Sequence, residues 1–412
     1  MKKSVCFVLL SAVCATGSLL ADSGTWTATS GGNWNDTANW DGGIIASNSG
    51  ATATMNTGTG MINNDMTAPA LALQGLTFAG GGYTLAGNAI TLDSAGFITV
   101  LGGTHTVSLP LVLQGNTAVT SASGQTLTFS GAISGNGGLT TSGGRVVLNS
   151  SDNSYQGNTV QASGTLQFAT VSSLGSASAG LTLGDGTFRY TGDSASLGRG
   201  FTILAGATAD RASVLDVVNS GTTLTVPGQI VSPGGVFLKT GEGTAKFTYP
   251  GYQEFGTNKV SGSQTAVITY DANGVADVNG YSAFTVDKGR LILGAAGQTN
   301  VIAPGDAWIG SRTLASPRLD IVGGYTEFRS GYLSIGRGTG TTNSPQMPSL
   351  YISNGAYVNV EGAGFVMDHA NGQEGHKCRP YLSIDNGTLR TSGEMFIGED
   401  SASESTVLVD NG

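Results

Sequence analysis

Apolar and polar residues alternate in short segments near the C-terminal end of the chain, and these segments recur. Three copies begin at Leu319, Leu350 and Leu382, roughly 31 residues apart, a period typical of stacked repeats. The opening of a fourth copy begins at Val407. Each complete copy has a strand, a glycine-containing turn, a second short strand, a glycine and a third strand. Alternation with a period of two predicts β-strands that bury one face and expose the other.

The turn in each copy is a pair of residues that tolerates positive φ. The pairs are Gly323-Gly324, Asn354-Gly355, Asn386-Gly387 and Asn411-Gly412. Glycine and asparagine are favoured where the backbone reverses sharply. We therefore expect a corner of the fold at each pair.

One repeat of this length cannot bury its apolar face alone, but stacked repeats can. Each strand would then pair with the equivalent strand of the next turn, about 4.8 Å away. The pattern predicts an all-β, right-handed parallel β-helix. At ~30 residues a turn it would have about a dozen turns and a length of roughly 60 Å. Ile321, Ile352, Ile384 and Val409 occupy equivalent positions and are expected to stack inward.

Composition supports this architecture and excludes several others. The chain has 412 residues, of which 66 are glycine and 11% are charged. This glycine content disfavours a helical domain, and without a triplet period it also excludes collagen. Hydrophobic residues make up 39%, too many for a disordered segment. The net charge is −9 and no basic run is present, so nucleic acid is not an expected partner.

The N-terminal segment from Met1 to Ala21 has the organisation of an export signal. Lys2 and Lys3 precede a short apolar stretch, and small residues follow up to Ala21. The apolar stretch is too short to cross a bilayer as a helix. Removal of this segment would leave Cys378 as the one cysteine of the mature chain, so no internal disulfide is expected.

Two longer units of similar sequence lie between Leu71 and Leu293. The first begins at Ile133 with "ISGNGGLTTSGGRVVL". The second begins at Ile230 with "IVSPGGVFLKTGEGTAKF" and resumes with "GYSAFTVDKGRLILG". The second copy is interrupted by an expected insertion from Tyr252 to Asn279.

These units resemble the autotransporter-associated β-strand repeat of bacterial surface proteins. The family pattern has Gly-Gly-Leu, a Lys-Thr-Gly-x-Gly-Thr corner and a Leu-x-Leu strand, and "GGVFLKTGEGTAKF" matches it closely. The first copy departs from the pattern by lacking the lysine. The resemblance is strong from Gly24 to Leu293 and weaker beyond. It implies an exported parallel β-helix displayed at the cell surface or outer membrane, or released outside the cell.

The predicted organisation has four parts. Residues 1–21 are the signal peptide, and residues 22–66 are a tryptophan-containing cap with the first strands. Residues 67–305 are a β-helix with the two repeat units. Residues 306–412 are further β-helix turns of about 31 residues each, within the range of known repeat periods. Because "VLVDNG" stops at a corner, we expect the native protein to continue beyond Gly412, and we expect any membrane attachment to come from that further region.

Trp26, Trp34 and Trp40 cluster near the start of the mature chain and allow two interpretations. They could form an exposed platform on which sugars stack. They could instead cover the open apolar end of the first turn, which solenoids need, and this cap is the favoured interpretation.

A second cluster contains residue types that can bind zinc. His369, His376 and Cys378 lie close in sequence, with Asp368 and Glu374 nearby. Their spacing matches no standard zinc site, and adjacent repeats carry variable loops at the same place. We therefore expect no metal site, no cofactor and no catalytic residue, since the acids are scattered singly.

The favoured function is that of a non-enzymatic secreted or cell-surface passenger, acting as an adhesin, stalk or matrix component. Its expected partners are extracellular glycans or other cell-surface proteins. The alternative is a β-helix that binds or degrades polysaccharide. An aligned row of exposed acids and aromatic residues on one face would favour that alternative.

Overall fold

The structure is a computed structural model. It describes residues 21–67, 70–204, 212–232, 235–255, 284–303, 305–310, 315–329, 331–336, 347–368, 378–398 and 404–411, together with the backbone of 267–270 and 276–279. The predicted signal peptide lies almost entirely outside these ranges and remains a prediction.

The N-terminal half contains the longest strands of the described residues, up to the 13 residues of Thr117–Phe129. Its strands are β1 (Gly24–Trp26), β2 (Gly31–Asn33), β3 (Thr52–Met55), β4 (Gly58–Asn64), β5 (Leu71–Phe78), β6 (Gly81–Gly87), β7 (Ile90–Val100), β8 (Thr104–Val107), β9 (Leu111–Leu113), β10 (Thr117–Phe129), β11 (Ile133–Gly135), β12 (Leu139–Leu148), β13 (Thr159–Phe168) and β14 (Leu181–Tyr190). The helices of the described residues are three short 3-10 turns at Thr37–Asn39, Asp41–Gly43 and Val171–Leu174.

Beyond β14 the strands are shorter, and each turn of the second half carries three of them. They are β15 (Ala195–Ser196), β16 (Phe201–Ile203), β17 (Ala212–Val217), β18 (Thr223–Val226), β19 (Ile230–Val231), β20 (Val236–Thr240), β21 (Thr244–Phe247), β22 (Tyr252–Phe255), β23 (Val267–Tyr270), β24 (Ala276–Asn279), β25 (Phe284–Val286), β26 (Arg290–Leu293), β27 (Thr299–Ile302), β28 (Ala307–Ile309), β29 (Arg318–Val322), β30 (Tyr325–Phe328), β31 (Tyr332–Ile335), β32 (Ser349–Ser353), β33 (Tyr357–Val360), β34 (Gly364–Met367), β35 (Tyr381–Asp385), β36 (Thr388–Thr391), β37 (Glu394–Ile397) and β38 (Thr406–Asp410).

Equivalent strands of successive turns pair in parallel, so the fold is an all-β parallel β-helix, as predicted. The second half has three faces. The first face is the eight-stranded sheet β15-β18-β21-β26-β29-β32-β35-β38, and the second is the five-stranded sheet β22-β27-β30-β33-β36. The third continues from β17 through β20, β25, β28, β31 and β34 to β37. The handedness of the helix stays a prediction.

The pairing register confirms the spacing of the C-terminal repeats. Leu319 pairs with Leu350, and Leu350 pairs with Leu382. The turns of the N-terminal half are shorter, since Phe78 already pairs with Val100. The period of ~30 residues therefore describes the C-terminal turns and is too long for the N-terminal ones.

The expected insertion in the second repeat unit begins later than the sequence suggested. Tyr252–Phe255 forms β22 and pairs in parallel with Thr299–Ile302, so these residues belong to the stack. The antiparallel hairpin of β23 and β24 follows it. The start was placed wrongly because the alternating "YQEF" strand has no counterpart at that point of the first copy.

The main core is one continuous column of buried apolar side chains that extends from Trp26 to Leu382, and Ala212, Val214 and Leu238 form a small separate cluster. Ile321, Ile352, Ile384 and Val409 are paired in register, as predicted. Ile321 and Ile352 are fully buried and Ile384 is partly buried, but Val409 is exposed. Val409 is thus in register with the inward column, and it is exposed because among the described strands β38 has a neighbour on one side alone.

The corner residues adopt the predicted conformations with one exception among those described. Positive φ angles, between 50° and 74°, occur at Gly323, Gly324, Asn354, Gly355, Asn386 and Asn411. Gly387 is the exception, and a Cβ at this position would lie 2.7 Å from Ile352 Cγ2. Glycine is required there by close packing rather than by backbone conformation. Gly412 lies outside the described residues.

Candidate functional site

The three N-terminal tryptophans are buried in the first turns. Trp34 and Trp26 both pack edge-on against Trp40, with ring centroids 4.9 and 5.2 Å away. Each indole N–H donates to a backbone carbonyl, that of Ala28, Ala46 or Trp34. Because all three side chains are at most 3% exposed, they form a packed end of the core, and the sugar-platform interpretation is wrong.

Of the five residues that could bind zinc, the structure describes two, Asp368 and Cys378. His369, Glu374 and His376 lie outside the described residues. Asp368 and Cys378 are both buried, and the sulfur of Cys378 lies against Gly336. Burial, reinforced by the charge of Asp368, raises the pKa of the Cys378 thiol to about 12. Within the ranges that the structure covers, no three His, Cys, Asp or Glu residues come together to hold a metal ion.

The lysine of the repeat motif holds a corner of the helix. Lys239 is fully buried, and its Nζ donates to the carbonyl oxygens of Thr240, Gly241 and Lys288 at 2.5, 2.9 and 3.2 Å. Lys288 belongs to the next turn, so the ammonium group ties two turns together. These hydrogen bonds give a physical reason for a lysine in the corner motif. The role of Lys239 is to stabilise the corner.

A groove on the first face brings together side chains that can recognise a ligand. It has a volume of about 440 Å³, and its lining includes Arg318, Tyr351, Arg379, Tyr381 and Glu404. This is within the range of small-molecule sites, roughly 300–1,000 Å³. These residues come from successive turns, so the groove runs along the axis of the helix and across its strands.

Arg318, which lines the groove, is held by a charge network behind it. Asp320 is almost fully buried and accepts two hydrogen bonds from Arg290, at 2.6 and 3.0 Å. Arg318 donates to both oxygens of the same carboxylate, at distances from 2.5 to 3.0 Å. Burial lowers the pKa of Arg318, but the hydrogen bonds and charge of Asp320 outweigh it and raise that pKa above its ordinary value.

The floor of the groove is aromatic. The guanidinium carbon of Arg318 lies 3.5 Å from the ring centroid of Tyr351, a cation–π contact. Tyr351 and Tyr381 are neighbours, with ring centroids 5.5 Å apart and planes inclined at 42°. Both side chains are half-buried. The stacked arginine and the neighbouring turn therefore hold the rings in place at the surface.

The far end of the groove is exposed. Arg379 Nε lies 3.1 Å from a carboxylate oxygen of Glu404, and their side chains are 51% and 74% exposed. An ion pair this accessible contributes little, about 0–1 kcal/mol. The guanidinium of Arg379 is thus available to exchange Glu404 for a carboxylate on a ligand.

Sequence comparison gives a relative with a described role. The chain is similar to Adhesin BmaC autotransporter of Brucella suis biovar 1 (strain 1330), at 31% identity over 291 residues. This chain is related to an autotransporter. The resemblance stated from the repeat motifs is thereby confirmed. The match covers 66% of this chain and 8% of the relative. The chain therefore corresponds to a small part of that much longer protein.

Two further comparisons give no match: no family model matches the chain, and no solved structure is significantly similar to it. Among the described residues, no helix has the length and apolar character needed to cross a membrane.

The groove residues were not predicted from the sequence, although a signal for them was present. The repeat spacing places Arg318, Ser349 and Tyr381 at one equivalent position, and Asp320 and Tyr351 at another. Both positions alternate with the inward leucines and isoleucines, so both face outward. Reading these outward columns across turns would have revealed the clustered arginines and tyrosines.

Proposed function

We propose that this chain is a non-enzymatic β-helical segment of an exported surface protein, and that it mediates adhesion. The observation that carries the proposal is the similarity to an autotransporter adhesin across 66% of the chain. The architecture supports it, because a stack of parallel turns is a rigid rod that exposes long faces of hydroxyl, amide and aromatic groups. Localisation at the cell surface or outside the cell is part of the same proposal.

The direct test is attachment. Beads coated with the purified chain are expected to bind epithelial-cell monolayers or extracellular matrix more strongly than beads coated with the heat-denatured chain. The folded and denatured chains have the same composition, so a difference reports on the folded surface. Equal attachment of the two would contradict an adhesive function.

A carbohydrate-binding function is the second candidate, and the groove favours its binding form over its degrading form. Hydrolysis of a glycosidic bond generally uses two carboxyl groups on either side of the bond. Glu404 is the one carboxylate among the described residues that line the groove. The nearby Asp320 is already occupied by hydrogen bonds from two arginines. Incubation of the chain with soluble polysaccharides should release no reducing ends.

A further inference from the structure

We infer that the groove formed by Arg318, Tyr351, Arg379, Tyr381 and Glu404 binds an oligosaccharide that contains a carboxylated sugar. The inference deepens the adhesive function proposed above and rests on it. The tyrosine rings would contact the apolar face of a sugar ring, and Arg379 would pair with the sugar carboxylate.

The aromatic floor is suited to a sugar because it is rigid and amphipathic. Tyrosine offers a large apolar area at low entropic cost, and its hydroxyl can bond to a ligand hydroxyl. The ring centroids of Tyr351 and Tyr381 are 5.5 Å apart, and the guanidinium of Arg318 stacks on the ring of Tyr351. Little ordering is therefore needed when a ligand binds, which favours affinity.

The charge of the groove selects an acidic ligand. The chain as a whole has a net charge of −9, but the residues that line the groove include two arginines and one glutamate. Arg290, Arg318 and Asp320 together retain one positive charge beside the tyrosines. The planar guanidinium of Arg379 can form two parallel hydrogen bonds with a carboxylate. A neutral sugar has no carboxylate to accept them.

The length of the groove indicates an oligosaccharide rather than a single sugar. The lining runs from Arg318 on β29 to Thr406 on β38, which is three turn spacings. At ~4.8 Å for each spacing, this is about 14 Å along the axis. A peptide strand is disfavoured, because β29, β32 and β35 are already paired on both sides and offer no open edge.

Isothermal titration with matched acidic and neutral probes tests the inference. The probes are tetragalacturonate with its methyl ester, and sialyllactose with lactose. In at least one pair, the acidic sugar is expected to bind at least tenfold more tightly than its neutral counterpart, as the loss of a charge-assisted hydrogen bond implies. Absence of binding by both acidic probes, or equal binding of acidic and neutral members, would overturn the inference.

Three variants locate the site. Arg379→Gln should lower the affinity for the acidic sugar about tenfold and leave that for its neutral counterpart nearly unchanged. Tyr381→Leu should weaken both by about tenfold while retaining apolar bulk. Tyr357→Ala is the matched control, because Tyr357 is an exposed member of a stacked tyrosine pair on the second face. Binding that is unchanged in Arg379→Gln and Tyr381→Leu would refute the site, and the melting temperature of each variant shows that the fold is retained.

The same variants separate failure of this inference from failure of the adhesive function. Beads coated with Arg379→Gln should lose attachment if the groove is the adhesive site. Undiminished attachment, combined with no binding of the acidic probes, would leave adhesion standing and eliminate the groove as its cause. Sugar binding without attachment would retain the groove and contradict the adhesive function.

Discussion

At the residue scale, Lys239 shows how a charged side chain is accommodated inside a solenoid. Its three N–H groups match three carbonyl oxygens at the corner, so the hydrogen-bonding capacity of the ammonium group is satisfied. Burial lowers the pKa of Lys239 to about 7, although Asp216, Glu242 and Asp287 oppose the shift. The residue therefore links the stability of the corner to pH.

We predict that the contribution of Lys239 to stability, read as the difference between the parent and Lys239→Met, rises between pH 7 and about pH 10. The folded pKa of Lys239 lies below the value of 10.5 for an unperturbed lysine, so the unfolded chain binds more protons in this window. Raising the pH then favours the folded state, by up to a few kcal/mol. In urea unfolding experiments, the free energy of unfolding should increase more steeply with pH for the parent than for Lys239→Met. Equal slopes would disprove the coupling, whereas a lower absolute stability of the variant is expected from the lost hydrogen bonds.

Cys378 provides a second residue-scale prediction. Because its thiol is buried and its pKa is raised to about 12, the reactive thiolate is scarce at pH 8. A chain beginning at Asp22 should react with a thiol reagent at least tenfold more slowly when folded than in 6 M guanidinium. Cys378→Ser should show no reaction under either condition. Rapid labelling of the folded chain would show that the thiol is accessible.

At the element scale, each strand contributes inward residues to the common core and outward residues to a face. On the first face the inward column Ile321-Ile352-Ile384 builds the core, and the outward residues Arg318 and Tyr351 line the groove. A shift of one residue in register would exchange these two sets, so the buried isoleucines fix the position of the groove.

Truncation of the inward column should be costly. Ile352→Ala removes a fully buried side chain that the turns above and below enclose. We expect a loss of about 2–5 kcal/mol in the free energy of unfolding, from lost burial and the cavity. Leu408→Ala is the control, because Leu408 lies on the same sheet and is 49% exposed. This substitution should change the free energy of unfolding by no more than about 0.5 kcal/mol. A small effect at Ile352 would place it outside the core.

At the scale of the whole molecule, stability depends on continuity along the axis. One apolar column extends from the buried tryptophans through successive turns to Leu382. In the last described turn Met395, Phe396 and Val409 are exposed, because fewer neighbouring turns cover them. The energetic unit is therefore the contact between adjacent turns, as in other repeat architectures.

The architecture predicts a distinctive spectrum. Circular dichroism of the folded chain should show β-structure with almost no helical signal, since the helices of the described residues are three short 3-10 turns. A helical content above about a fifth would contradict the parallel β-helix, because ordinary globular proteins average about a third. Measurement in the far ultraviolet before and after thermal unfolding is sufficient.

The sequence by itself determined the fold class and the register of the C-terminal turns. Alternation at Leu319, Leu350 and Leu382 sufficed, because parallel stacking places residues one repeat apart directly against each other. The sequence also favoured the cap formed by the tryptophans, because an apolar end must be covered.

Tertiary structure alone decided which outward side chains meet. Arg318 stacks on Tyr351, and the ring of Tyr351 lies beside that of Tyr381, so that residues of three different turns meet. These contacts depend on stagger and side-chain direction, which repeat spacing does not specify. Burial of Lys239 was likewise decided by the tertiary structure, because a carbonyl oxygen of its cage comes from Lys288 in the next turn. Alternation in the sequence indicates which face of a strand is buried, but the stacked turns determine which charges that burial encloses and which groups the surface presents together.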